Sequence, residues 1–73
     1  MKLVKNNEYC LVTGAAGFLG EIHCECALEN NYNLIMLDID SKNLKRIQFK
    51  LKQKFKHLNI FSYKIDISSE KKN

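Results

Sequence analysis

Three glycines and one aspartate are the residues of this chain whose types and spacing best fit a chemical task. Gly14, Gly17 and Gly20 follow one another at intervals of three residues and are the only glycines present. Such glycines can turn the chain sharply out of a strand, let backbone amides approach a phosphate, and let a helix pack closely on that strand. Asp38 stands 18 residues after Gly20, where a carboxylate can accept hydrogen bonds from the hydroxyls of an adenosine ribose. The pattern predicts a dinucleotide site, and the alternative is a turn with a purely structural role.

The charge at Asp38 predicts which dinucleotide this site would prefer. The additional 2′-phosphate of NADP would meet a like charge at Asp38, and the glycine loop contains no Lys or Arg to offset it. The sequence therefore favours NAD.

Alternating apolar runs and amphipathic stretches predict the elements that position these residues. Short apolar runs suit strands buried in a sheet, and Ser41 suits the start of a helix because its hydroxyl can accept a hydrogen bond from a free amide. The predicted order is a strand at Tyr9–Thr13, a helix at 18–30, a strand at 34–38, a helix at 41–57 and a strand at 59–65. A third helix is expected to begin at Ser68 or Ser69, followed by Glu70.

Each of the two complete helices carries a stripe of apolar residues at three- and four-residue steps. In the first helix the expected stripe is Leu19, Ile22 and Cys26, with Ala27 or Leu28. The glutamates of this helix are expected to face water: Glu21, Glu25 and Glu29. In the second helix the expected stripe is Leu44, Ile47, Leu51, Phe55 and Leu58.

This order of elements predicts a partial, truncated Rossmann fold of the α/β class: a βαβαβ unit with three parallel strands and two helices. Crossovers between parallel strands are nearly always right-handed, so strands added outward in chain order place both helices on one face of the sheet. We therefore expect the opposite face to need cover from a missing C-terminal half or from a partner chain.

Composition excludes several other classes of protein. The chain has 73 residues, of which 45% are hydrophobic and 27% charged, as in one small globular domain. Its net charge of +4 arises largely from a helix face between Lys42 and Lys56, without the interleaved aromatic residues typical of nucleic-acid binding. No apolar run approaches the roughly 20 residues of a membrane span. We expect no nucleic-acid partner and no membrane insertion.

The three cysteines, Cys10, Cys24 and Cys26, are an odd number without the spacing of a disulfide framework. With no signal-peptide pattern at the start of the chain, this predicts a reducing, cytoplasmic location. Two cysteines two residues apart on a helix point in different directions, so we expect no metal site at His23–Cys26.

The segment Thr13, Gly14, Gly17 and Gly20, followed by Asp38, resembles the N-terminal part of short-chain dehydrogenases/reductases, and the resemblance extends over all 73 residues. The glycine spacing is similar to the extended branch, which modifies nucleotide sugars, whereas the classical branch has a glycine where Phe18 stands. The residues around Asp38 and Asp66 look more like the classical branch.

The resemblance implies the fold, the cofactor and the residues that contact it. Residues 1–73 would form the N-terminal half of a dinucleotide-binding domain, with NAD bound by a set of loop and strand-end residues. That set is Thr13, Gly14, Ala16, Gly17, Phe18, Leu19, Gly20, Asp38, Ile39, Asp66 and Ile67.

The resemblance also implies that the catalytic residues are not in this chain. The family places a lysine four residues after its catalytic tyrosine, but here the residues at that distance from the three tyrosines are Thr13, Met36 and Ile67. We expect an inactive NAD-binding fragment of an oxidoreductase. The alternatives are a fragment of an extended-branch epimerase or dehydratase, and a standalone nucleotide-binding or interaction module.

Overall fold

A computed structural model describes residues 8–66 as three parallel strands and two helices in alternation. The elements are β1 (Tyr9–Thr13), α1 (Phe18–Glu29), β2 (Asn33–Asp38), α2 (Ser41–Lys54) and β3 (Ile60–Lys64). The sheet order is β1-β2-β3, with both neighbouring pairs parallel. The predicted βαβαβ order and the partial Rossmann-type fold are confirmed. The predicted third helix at Ser68 or Ser69 lies outside the described residues.

Both helices cover the same face of the sheet. Alternate strand residues, among them Val12, Leu34, Met36 and Ile60, are buried in one core together with residues of α1 and α2. Their neighbours along the strands point to the opposite face, where Leu11, Phe61 and Tyr63 are exposed. The uncovered second face predicted from crossover handedness is therefore present in the described part of the chain.

The face of α1 that packs inward differs from the predicted stripe. The buried residues of α1 are Gly20, Cys24, Ala27 and Leu28, so the prediction was right for Ala27 and Leu28. Leu19, Ile22 and Cys26 are exposed, and the solvent-accessible fraction of Leu19 reaches 64%. The helix has apolar residues on more than one face, and the close contact of Gly20 with the end of β1 decides which face turns inward.

The glutamates of α1 also have more than water as partners. Glu21 pairs with Lys50 of α2, and Glu25 pairs with Lys54 one turn further on, while Glu29 is exposed. Residues four positions apart lie on the same face of a helix, so the two ion pairs form successive links between the facing sides of α1 and α2.

The C-terminus of α1 is closed by asparagines. Asn31 has a φ of 68°, a left-handed conformation that asparagine tolerates better than most residues. The amide of Tyr32 donates to the carbonyl of Ala27 (3.1 Å), and that of Asn31 to Leu28 (2.9 Å). This pair of bonds is the Schellman motif, and it directs the chain into β2.

The second helix is shorter than predicted. It ends at Lys54, and Phe55 is its C-cap, whose amide donates to the carbonyl of Leu51 (2.8 Å). Phe55 and Leu58 still pack against the core, but from the turn that follows the helix. The helix has to end here because the chain must reverse within a few residues to bring Ile60 beside Leu34. The helical spacing of apolar residues continues into this turn, which is why the sequence predicted a longer helix. Among residues 8–66, no helix is long and apolar enough to cross a membrane.

Candidate cofactor site

The glycine loop begins with a sharp turn at the end of β1. Gly14 has a φ of +64°, which a residue with a Cβ adopts only with strain, and the amide of Gly17 donates to its carbonyl (3.1 Å). The amide of Ala15 donates to the carbonyl of Leu37 on β2 (3.0 Å). The prediction that a glycine turns the chain sharply out of the first strand is confirmed at Gly14. The loop is anchored to both β1 and β2.

Gly20 brings the first turn of α1 against the loop. A Cβ at this position would lie 2.0 Å from the carbonyl oxygen of Gly14 and 2.8 Å from the Cα of Ala15. Both are backbone atoms, which cannot move aside as a flexible side chain could. The prediction that Gly20 permits close packing of helix and strand is confirmed.

Gly17 differs from Gly14 and Gly20 because its own conformation needs no glycine. Its φ is −82° and its ψ 171°, and a Cβ there would lie 3.4 Å from the carbonyl oxygen of Gly14, an ordinary contact. Gly17 is the N-cap of α1 and supplies no side-chain cap. The amides of Phe18, Leu19 and Gly20 begin the helix and have no acceptor within it. This end of α1 therefore presents several N–H groups and a positive dipole end, a combination that suits an anion.

Asp38 ends β2 beside this loop, and both of its carboxylate oxygens accept backbone hydrogen bonds. Oδ2 accepts from the amide of Ala16 (2.8 Å) and Oδ1 from that of Asp40 (2.9 Å). The hydrogen bond from the amide of Asp40, with those from Ala16 and Ile39, holds the pKa of Asp38 below its ordinary value, against the opposing effect of burial. Asp38 is therefore ionised at neutral pH. A carboxylate offers about four acceptor positions, so these backbone bonds leave acceptor capacity for a ribose hydroxyl.

Asn43 also belongs to this site, although it is not among the residues predicted from the sequence. It lies in the first turn of α2, where its Nδ2 donates to the carbonyl of Ala16 (2.8 Å) while its Oδ1 accepts from Nε of Arg46 (2.8 Å). The signal that could have identified it is the position of a short amide in the helix that starts directly after the strand-ending acid.

The other predicted contact residues lie near the carboxyl ends of the strands or at the start of α1, and one lies outside the described residues. Thr13 ends β1, Ile39 follows Asp38 with 53% of its surface exposed, and Asp66 follows β3 and is exposed. The amide of Ile65 donates to the carbonyl of Asp38 (3.0 Å), which ties the ends of β2 and β3 together. Phe18 and Leu19 are exposed at the start of α1. Ile67 lies outside the described range.

The cysteines occupy different environments. Cys24 is buried and Cys26 is exposed, which confirms that the two point to different sides of α1. Burial, with smaller effects of Cys10 and Glu21, raises the pKa of the Cys24 thiol to about 12. A thiol with so high a pKa is a weak nucleophile, so Cys24 acts as core packing. Residues 8–66 contain no cluster of three or more metal-ligating side chains.

The parallel sheet and its two crossover helices together define a partial fold of the Rossmann type. Neither the models of known protein families nor the sequences of curated proteins match the chain. Solved structures of oxidoreductases do match its fold.

An alcohol dehydrogenase from Comamonas testosteroni, specific for bulky-bulky ketones, has a TM-score of 0.81 and 23% identity. That match covers 90% of this chain and 26% of the dehydrogenase. An NADPH-bound short-chain oxidoreductase from Pseudomonas aeruginosa PAO1 has a TM-score of 0.77 and 23% identity over 84% of this chain and 24% of its own. An alcohol dehydrogenase from Thermococcus sibiricus, complexed with 5-hydroxy-NADP, has a TM-score of 0.78 and 22% identity, with coverages of 85% and 26%.

These likenesses confirm the predicted resemblance to short-chain dehydrogenases/reductases at the level of fold. The chain spans about a quarter of the length of the structures that it matches. Two of the three structures hold cofactors of the NADP type.

Proposed function

We propose that this chain is the NAD-binding N-terminal part of an oxidoreductase of the short-chain dehydrogenase/reductase type. The observation that carries the proposal is Gly17. Its conformation and surroundings leave room for a side chain, so a glycine there is explained by a ligand that must come close to the backbone. The free amides at the start of α1 and the fixed carboxylate of Asp38 supply the two polar anchors of a dinucleotide.

Each part of the site would have a distinct task. The amides of Phe18, Leu19 and Gly20 would bind the diphosphate, and Asp38 would accept hydrogen bonds from the adenosine ribose. Ile39, with Asp66 and Ile67, would border the adenine. The bound dinucleotide supplies the hydride chemistry, while the residues of this chain hold and orient it.

NAD is the proposed dinucleotide, because a 2′-phosphate would approach the ionised carboxylate of Asp38. The catalytic residues would lie in a further part of a longer chain, which would also cover the open face of the sheet. A partner chain could provide the same cover. A cytoplasmic location stays a prediction.

The decisive test is the variant Gly17→Ser, because it should change stability and binding in opposite directions. Serine is a good N-cap and restricts the unfolded chain, so the free energy of unfolding should rise by about 0.5 kcal/mol. The serine side chain would occupy the space through which the diphosphate approaches the backbone. Its hydroxyl would also accept a hydrogen bond from an amide that is proposed to bind the phosphate. Loss of such a bond should weaken NAD binding at least about tenfold.

Urea unfolding and calorimetric titration with NAD would measure the two effects. Cys26→Ser, exposed near the other end of α1, is the control and should bind NAD like the wild type. Unchanged affinity in Gly17→Ser would contradict the proposed site. A parallel titration with NADP should show binding at least about tenfold weaker, as expected for one close repulsion between like charges. Equal affinity for both dinucleotides would overturn the choice of NAD alone.

A further inference from the structure

The peptide groups that precede Gly17 are held by side chains on both sides. The amide of Ala16 donates to Oδ2 of Asp38, and the carbonyl of Ala16 accepts from Nδ2 of Asn43, each at 2.8 Å. That carbonyl belongs to the same peptide group as the amide of Gly17, which donates to Gly14 (3.1 Å). Two successive peptide planes of the loop are therefore fixed just before α1 begins.

Asn43 can hold the loop because its own position is fixed. Asp40 caps α2, and its Oδ1 accepts from the backbone amide of Asn43 (3.1 Å). The amide of Asp40 in turn donates to Oδ1 of Asp38 (2.9 Å). The four hydrogen bonds form a closed circuit from Asp38 through Asp40, Asn43 and Ala16 back to Asp38. Nε of Arg46 donates to Oδ1, the single oxygen of the Asn43 side chain, so the amide nitrogen faces Ala16.

We propose that Asn43 is a positioning residue for the dinucleotide: it holds the Ala16–Gly17 peptide so that the amides at the start of α1 face the diphosphate. This inference rests on the proposed function. A loop already held in its binding conformation loses less conformational entropy when the ligand binds, and affinity rises accordingly. Asn43 touches the loop rather than the ligand in this role.

Two substitutions separate positioning from stability. Asn43→Ala removes the hydrogen bond to Ala16, and Asn43→Leu removes it while keeping a side chain of similar size with higher helix propensity. We expect Asn43→Leu to keep the wild-type urea midpoint. Both variants should bind NAD about three- to tenfold more weakly, the value of one hydrogen bond. In the free protein, the amides of Ala16 and Gly17 should exchange hydrogen faster than in the wild type.

Gln48→Ala is the matched control. Gln48 lies on the same helix, and its side-chain amide also donates to a backbone carbonyl, that of Ile60 (2.7 Å), far from the glycine loop. This variant should lose stability but keep the wild-type affinity for NAD and the slow exchange of Ala16 and Gly17.

The outcomes separate the inference from the proposed function. If the wild type binds NAD and both Asn43 variants bind it equally well, the positioning role is wrong and the proposed function stands. An equal loss of affinity in Gln48→Ala would also overturn the positioning role, because stability alone would explain the effect. If the wild-type chain does not bind NAD, the proposed function is wrong and the role of Asn43 is wrong with it.

Discussion

At the scale of single residues, Asp38 combines a structural task with a binding task. Its two oxygens hold the amides of Ala16 and Asp40, which fixes the glycine loop and the start of α2 relative to β2. The same carboxylate faces the place proposed for the ribose. A substitution of Asp38 would therefore act on the stability of the protein as well as on its affinity for a dinucleotide.

The lowered pKa of Asp38 predicts a pH dependence of stability with a definite sign. Because the pKa is lower in the folded state than its ordinary value of about 3.9, the unfolded chain binds more protons between the two values. The stabilisation is complete above about pH 3.9 and is lost as the pH falls through the folded pKa. Asp38→Asn should cost about 1–2 kcal/mol at neutral pH, because asparagine has one acceptor oxygen for two amides.

Urea unfolding of the wild type and Asp38→Asn between neutral and strongly acidic pH tests this expectation. The difference between their free energies of unfolding should shrink in acid, where the wild-type carboxyl becomes protonated. Asp40→Asn, which removes a neighbouring carboxylate but keeps a good N-cap, should change stability little at neutral pH. A wild-type advantage that persists undiminished in acid would contradict the role assigned to Asp38.

At the scale of secondary structure elements, the contact between α1 and the end of β1 depends on Gly20. Helix propensity alone predicts that Gly20→Ala stabilises the protein by about 1 kcal/mol. The structure predicts the opposite, because the new Cβ would overlap the carbonyl of Gly14. We expect a net loss of about 1–3 kcal/mol from displacement of the helix.

The urea midpoint of Gly20→Ala decides between the two expectations. His23→Ala, an exposed position on the same helix, is the control and should be neutral or slightly stabilising. A raised midpoint for Gly20→Ala would show that α1 does not approach the loop as closely as described.

The elements show how far the sequence alone can predict this fold. Apolar runs predicted the three strands, and both helices begin where predicted, because these signals are local. The predicted capping role of Ser41 was wrong, because Asp40 is the N-cap of α2 and its side chain accepts from the amide of Asn43. The inward face of α1 was predicted correctly only for Ala27 and Leu28, since Leu19 and Ile22 fit an apolar stripe as well as the buried residues do. The contact of Gly20 with Gly14 decides which of the two apolar faces of α1 turns inward, and this contact exists only after the chain has folded.

The candidate site was predicted to a similar extent. The glycines and Asp38 follow a known spacing, so their convergence could be expected. The bond from Asn43 to Ala16 joins residues 27 positions apart, and no spacing rule connects a short amide in one helix to the loop before another. The use of both Asp38 oxygens by backbone amides likewise depends on how the two loops meet in space.

At the scale of the whole molecule, the open face of the sheet is the feature that calls for a partner. Leu11, Ile35 and Phe61 lie side by side on the three strands, and Tyr9 stacks on Phe61 with 6.2 Å between the ring centres. Parallel sheets bury both faces in almost all known proteins. The matched regions make up about a quarter of those longer structures.

This face predicts that the 73-residue chain associates with itself when it is studied alone. Leu11 is 58% exposed and Phe61 44%, so replacing both with threonine removes apolar surface without emptying the core and keeps residues that suit strands. The double variant Leu11→Thr/Phe61→Thr should shift sedimentation at high concentration toward the monomer, because association buries exposed apolar surface. Phe49→Gln is the matched control: Phe49 is 68% exposed but lies on α2, so this variant should associate like the wild type. A wild-type chain that stays monomeric at every concentration, or an equal shift in the control, would show that the sheet face does not drive association.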